Sequence, residues 1–263
     1  MIKLYNNGNE LLQENEAYLN TNRQLSGFFF WDAPLLEKSD KINYALKVYD
    51  GQNELLALKI EPYDLLLFGA PSLAGELVTF LISNGYEIKN MLGSEELLDT
   101  ICDELKQYGY EYYEALAMSF MRVTEKTEPS CDEVETAQAA DIDELAVLME
   151  RFNHDCGLLD KVNIDQIRKD IDRFRVLRRD GMIVCMAKCA GMGDDTRISD
   201  VYTRDEYRNK GLARIVVNTL KNEMIDELGF SALNVDKKNP ISNKLYYSLG
   251  FRPVFSQGEY RRK

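Results

Sequence analysis

A chain of 263 residues, 45% hydrophobic and 29% charged, has the length of one large soluble domain or two ordinary ones, each able to bury a core. Its net charge of −12 is concentrated early: residues 1–130 hold 10 Lys and Arg against 21 Asp and Glu, whereas 131–263 hold 22 against 23. No basic face emerges for a phosphate backbone, no apolar run approaches the ~20 residues of a membrane span, and no basic-then-apolar leader opens the sequence, so neither nucleic acid nor membrane is expected as a partner and a cytoplasmic location is.

In chain order, residues 10–22 read as a helix, and 42–49 with 55–60 as a hairpin around Asp50-Gly51. Residues 64–68 then read as a strand, 73–83 as a helix, 87–91 as a strand, 95–108 as a helix and 112–123 as a strand. The polar, proline-containing stretch 124–130 reads as a linker, dividing the chain into an N-terminal α/β domain over 1–125 and a second domain over 131–263. The second opens with a strand at 133–137, a helix at 142–152 behind an Asp141 cap, and a helix at 164–172. Strands at 174–178, 182–190 and 197–203 form an antiparallel meander with turns at Asp180-Gly181 and 191–195. A helix over 211–228, a strand at 231–235, a helix from Asn239 to Gly250, and strands at 251–255 and 259–262 complete it.

The stretch Tyr207-Arg208-Asn209-Lys210-Gly211-Leu212-Ala213 joins a strand to a helix. A helix N-terminus offers backbone N–H groups without intrahelical partners and the positive end of a dipole, and a glycine lets an anion approach them, so this turn suits a diphosphate. About thirty residues on, Asn239-Pro240 opens a helix of polar entry and aromatic middle, with Ser242, Leu245-Tyr246 and the stop Gly250-Phe251.

The pair R-x-x-G-x-A and N-x-x-S-x-x-L-Y-x-x-x-G-F, in this order and at this spacing, resembles the GNAT superfamily of N-acetyltransferases over about residue 131 onward. The resemblance implies a mixed, mostly antiparallel α/β (α+β) sheet flanked by helices, with a second, smaller α/β domain at the N-terminus. That first domain has a related element order but no Arg or Lys in its Gly69-Ala70-Pro71-Ser72 turn, so it reads either as a degenerate GNAT copy without cofactor or as an unrelated domain.

By the same resemblance the cofactor is acetyl-CoA. Its diphosphate would lie on the amides of Asn209, Lys210, Gly211, Leu212 and Ala213, with charge from Arg208 and Lys210; its arm would run between the strand Val201, Tyr202, Thr203 and the strand starting at Ser231, with a backbone hydrogen bond near Val201 to the acetyl carbonyl. Tyr246 stands where the family commonly places its general acid; Tyr247, on another helix face, is its internal control. The usual base, a Glu at the start of the preceding strand, is replaced here by Arg197 and Ser199, which leaves Asp200 as the nearest carboxylate, either base or surface residue. Asn239 and Ser242 read as cofactor contacts, as helix cap and spacer, or as both. His154 is left outside the mechanism.

The five cysteines are scattered and odd in number, and with one histidine they form no zinc set; reduced thiols are expected, with no metal, and Cys185 and Cys189 read as small buried hydrophobes rather than as nucleophiles. The expected activity is direct acetyl transfer to a primary amine of a small molecule. A non-catalytic acyl-CoA sensor, which would need the cradle and not Tyr246, is the competing reading. A homodimer is left open.

Overall fold

The computed structural model describes residues 1–157 and 161–263. In chain order the elements are β1 (Ile2–Tyr5), α1 (Gly8–Leu19), α2 (Arg23–Asp32), β2 (Tyr44–Tyr49), β3 (Glu54–Lys59), β4 (Leu65–Gly69), α3 (Ala74–Ser83), β5 (Asn90–Ser94), α4 (Glu95–Lys106) and β6 (Tyr112–Val123). They continue with β7 (Val134–Thr136), α5 (Ile142–Cys156), α6 (Ile164–Lys169), β8 (Phe174–Arg179), β9 (Met182–Ala190), β10 (Arg197–Thr203), α7 (Leu212–Leu228), β11 (Ser231–Asp236), α8 (Pro240–Ser248) and β12 (Arg252–Arg262).

Two compact units result, of nearly equal extent. The first comprises residues 1–119, 236–238 and 255–263; the second comprises 120–235 and 239–254. The division therefore falls inside β6, not in the polar stretch 124–130, and the C-terminal part of β12 belongs to the first unit. The reason is long-range pairing that no local pattern announces: Gln257–Arg261 run antiparallel to Asn90–Ser94 of β5, and the Tyr260 hydroxyl donates to Asp99 at 2.5 Å.

In the first unit, β1 to β4 form an antiparallel meander and β4 pairs parallel with β5. Its strands read as nearly continuous apolar runs because both faces are covered. Tyr44, Leu46, Val48, Leu55 and Ala57 pack with α3 and α4, while Ala45, Leu56, Leu58, Leu66 and Phe68 pack with α1 and α2. Helix α2 was not expected; Asn22 caps it by accepting from the Leu25 amide, and Phe29 anchors it in the core. The strand expected at 87–91 lies three residues later, where Met91 alternates inward with Gly93, whose missing side chain leaves room for the Leu67 carbonyl.

The second unit repeats this order. Strands β7 to β10 form an antiparallel meander, α7 crosses over, and β11 pairs parallel with β10. One face carries Cys185, Ala187, Ile198, Leu233 and Val235 against α7 and α8; the other carries Phe174, Val176, Ile183, Met186 and Tyr202 against α5 and α6. Asp141 does not cap α5 with its side chain; its carboxylate accepts instead from the Gln138 amide and from Arg178, each at 2.7 Å, closing the turn before the helix. A single strand, Arg252–Arg262, replaces the two short ones expected there.

Candidate active site

The site grows from a defect in β10. Between Ser199 and Tyr202 the register against β9 slips: three steps on β10 answer two on β9, from Ser199↔Lys188 to Tyr202↔Met186. The extra residue is accommodated by Asp200 in the left-handed region, φ +50°. Such a conformation is strained for a residue with a Cβ and is tolerated best by Asp and Asn. On its other edge β10 has one partner residue in β11, Ile198↔Leu233, so the backbones of 200–203 and of the end of β11 are not paired to each other.

Beyond Thr203 a short turn over Asp205–Tyr207 leads into α7. Asn209 and Gly211 both take positive φ, +60° and +77°. Gly211 is the N-cap of α7, and no side chain caps the helix there. A Cβ built on Gly211 meets nothing within 4 Å, so the space beside the N-cap of α7 is open. These are the features a backbone anion cradle requires.

Tyr246 lies on the inner face of α8, 7% exposed, with its ring 6.0 Å from Phe251 in an edge contact. Burial first, and then the nearby Cys156 and Cys185 thiols, push its pKa up to about 12. Tyr247 points outward, 45% exposed. Cys185, fully buried on β9, accepts from the Thr203 hydroxyl at 3.2 Å. Val201 packs partly buried against the cluster that holds Tyr246, whereas Tyr202 belongs to the opposite cluster and carries the Arg208 guanidinium over its ring, 5.4 Å from the centroid. Asp200 is half-buried; burial raises its pKa above the ordinary carboxylate value, and the Lys188 ammonium opposes that rise. Lys188 itself is paired with Asp170 at 2.7 Å.

Not every expected group meets the cradle. Arg208 donates to Asp155 at 2.6 Å, to the Thr203 carbonyl at 3.1 Å, and pairs with Asp205 at 2.9 Å. Lys210 donates to the Glu206 carbonyl at 3.0 Å and sits over Tyr207. Asn239 accepts from the Ser242 amide at 3.0 Å, so both serve the N-terminus of α8. His154 is exposed beside Asp155. Cys156, one of the five scattered thiols, is the last residue of α5 and is exposed. The readable signal was Gly157, the left-handed stop that puts Asp155 and Cys156 at the end of α5. Among the described residues no cluster suits a metal ion, and no helix is long and apolar enough to cross a membrane.

Residues 140–251 match the model of the Acetyltransferase (GNAT) family. No curated protein matches the chain. Among solved structures, a GNAT-family acetyltransferase from Colwellia psychrerythraea is similar over 100% of this chain and 99% of its own, at TM-score 0.67 and 14% identity. A GCN5-related N-acetyltransferase from Sphaerobacter thermophilus is similar over 100% and 95%, at TM-score 0.65 and 16% identity. A tandem GNAT protein from the clavulanic acid biosynthesis pathway is similar over 100% and 98%, at TM-score 0.52 and 9% identity. At these identities the likeness is one of fold, and it spans both units. The C-terminal half of the chain therefore carries a GNAT acetyltransferase domain, within a full-length fold shared with GNAT structures that include a tandem member.

Proposed function

We propose that the second unit transfers an acetyl group from acetyl-CoA directly to a primary amine of a small molecule. The observation that carries this reading is the placing of buried Tyr246 against Cys185 and Val201, on β9 and β10, while the strand after the β10 bulge leads straight into the uncapped N-terminus of α7. The residues present fit the cofactor: the amides of 209–213 would hold a diphosphate, and the unpaired edges of β10 and β11 around Val201 and Thr203 would receive the amide-bearing arm. Acetyl-CoA, when bound, supplies the acetyl group as a thioester.

Tyr246 holds its proton throughout the neutral range and can give it to a departing thiolate, a role typically contributing ~10²–10⁴-fold. Asp200 is suited to take the proton that the amine must shed, since an amine of pKa ~10.4 is mostly protonated at neutral pH. No ion pair within 4.0 Å engages Asp200 among the described residues, while neighbouring Asp170 and Asp155 are each neutralised by a cation. The first unit's turn at 69–72 has no Arg or Lys, so we assign the cofactor to the second unit alone.

The test is melting of the full chain with acetyl-CoA, followed by a panel of polyamines, amino acids, aminoglycosides and peptide amines monitored for free thiol. A rise in melting temperature and thiol release with at least one amine are expected. No rise with acetyl-CoA removes the cradle; a rise with no accepting amine, and full binding by Tyr246→Phe, turns the reading into that of a sensor.

A further inference from the structure

One face of α7 carries a polar stripe through an otherwise apolar surface: Arg214, Asn218, Lys221 and Asn222, at i, i+4, i+7 and i+8. Asn218 and Asn222 donate to the carbonyls of Glu128 and Pro129, tying down the segment that precedes β7. The two cations of the stripe also reach the far end of α8. Lys221, 0% exposed, donates to the Thr127 hydroxyl at 2.8 Å and to the Leu249 carbonyl at 3.3 Å. Arg214 donates to the Ser248 hydroxyl, which itself donates to the Leu245 carbonyl at 2.6 Å. Among the described residues no carboxylate lies within 4.0 Å of the Lys221 ammonium, and burial lowers its pKa.

A wholly buried ammonium is an expensive way to fill space, and an apolar side chain would pack as well. What an apolar side chain could not do is satisfy the last carbonyls of α8, which have no partner within the helix and attract positive charge. Those carbonyls belong to the turn that aims Tyr246. Its own carbonyl accepts from the amides of Leu249 and Phe251, both at 3.1 Å, and its ring leans on Phe251. Thr127 and Val123 crowd Gly250 at the same turn, so the bend has little freedom.

We infer that Lys221 is a positioning residue for Tyr246: by binding the Leu249 carbonyl it fixes the C-terminal turn of α8 and with it the direction of the phenol. The inference rests on the role given to Tyr246 above, and its test separates the two. In the full chain, 3-fluorotyrosine at position 246 should give one narrow ¹⁹F line; with Lys221→Met that line should shift or split, while the same probe at position 247 stays put. An unchanged line at 246 in the folded variant overturns the inference. Should Lys221→Met not fold, Lys221→Gln, which fills the same space with a shorter neutral amide and brings no ammonium to the Leu249 carbonyl, gives the same reading. With an accepting amine, kcat of Lys221→Met should fall about tenfold at unchanged KM for acetyl-CoA, a fraction of what a general acid supplies. That loss should vanish in the Tyr246→Phe background. An equal loss in both backgrounds refutes positioning, whereas full turnover by Tyr246→Phe alone defeats the acid role and leaves the ¹⁹F result to decide Lys221.

Discussion

Replacing Gly211 by Ala tests whether the start of α7 holds a diphosphate. At φ +77° an L-residue is strained by about 1–2 kcal/mol, partly offset by about 0.4–1 kcal/mol from the stiffer unfolded chain. The added Cβ meets no protein atom within 4 Å, so no steric penalty joins these terms and the net loss is roughly 1 kcal/mol. For a chain of this size that lowers Tm by about 2–4 °C. The ligand effect should be larger. Acetyl-CoA at about 100 times its Kd contributes ~2.7 kcal/mol to the wild type; if the methyl group weakens binding tenfold, the same concentration contributes only ~1.4 kcal/mol. Melting curves with and without acetyl-CoA therefore predict a ligand-induced rise about half that of the wild type, on top of a small drop in the free protein. An undiminished rise would refute the cradle, because the methyl would then occupy space that no ligand uses.

Tyr246→Phe should lower turnover with an accepting amine by ~10²-fold or more at unchanged acetyl-CoA affinity by calorimetry, and Tyr247→Phe should leave both intact. Because the Tyr246 pKa is raised to about 12, its proton remains bound below the unfolded value near 10 and is lost only as pH rises through the folded value. No fall in kcat below about pH 10 should thus be traced to this phenol, and an alkaline limb at pH 8 that disappears in Tyr246→Phe would contradict the assignment. Asp200 is also raised, so the folded state binds that proton more tightly; the stability it contributes is complete below the unfolded value near 3.9 and fades as pH rises through the folded one. Asp200→Asn keeps a side chain suited to φ +50°, so it should melt above the wild type at pH 8, with the gap closing toward pH 4, while turnover falls; a lower Tm at pH 8 would refute the burial argument. Asp155→Asn releases Arg208 from a half-exposed pair and should leave Tm nearly unchanged while tightening acetyl-CoA binding; unchanged affinity in a titration would mean that Arg208 does not reach the phosphates.

The start of α7 was legible because it is written in backbone terms: a glycine at the N-cap and a helix pattern beginning one residue later need no distant partner to be understood. The inward turn of Tyr246 and the outward turn of Tyr247 likewise follow from helix periodicity. Asp200 could be named as the nearest carboxylate, yet its left-handed backbone depends on a slip between β9 and β10 that neither strand records by itself. The stretch 124–130 read as a linker because its residues are polar, and they are exposed; what local reading left out is that Asn218, Lys221 and Asn222 stand on one face of α7 and bond to it. Arg208 looked like a phosphate ligand, and its pairing with Asp155 depended on where α5 ends, a matter fixed by Gly157 fifty residues earlier. The partner of β5 lay beyond local reading altogether, since it comes from the other end of the chain.

That last pairing has a consequence for how the molecule is made. Tyr260 lies in the same apolar cluster as Tyr44 and Leu98, so the first unit stays unfinished on the ribosome until residues 255–263 have emerged. Synthesis proceeds from the N-terminus, yet the N-terminal half is sealed last. One proteolytic cut between the halves would likewise part the N-terminal fragment from the strand that pairs with β5.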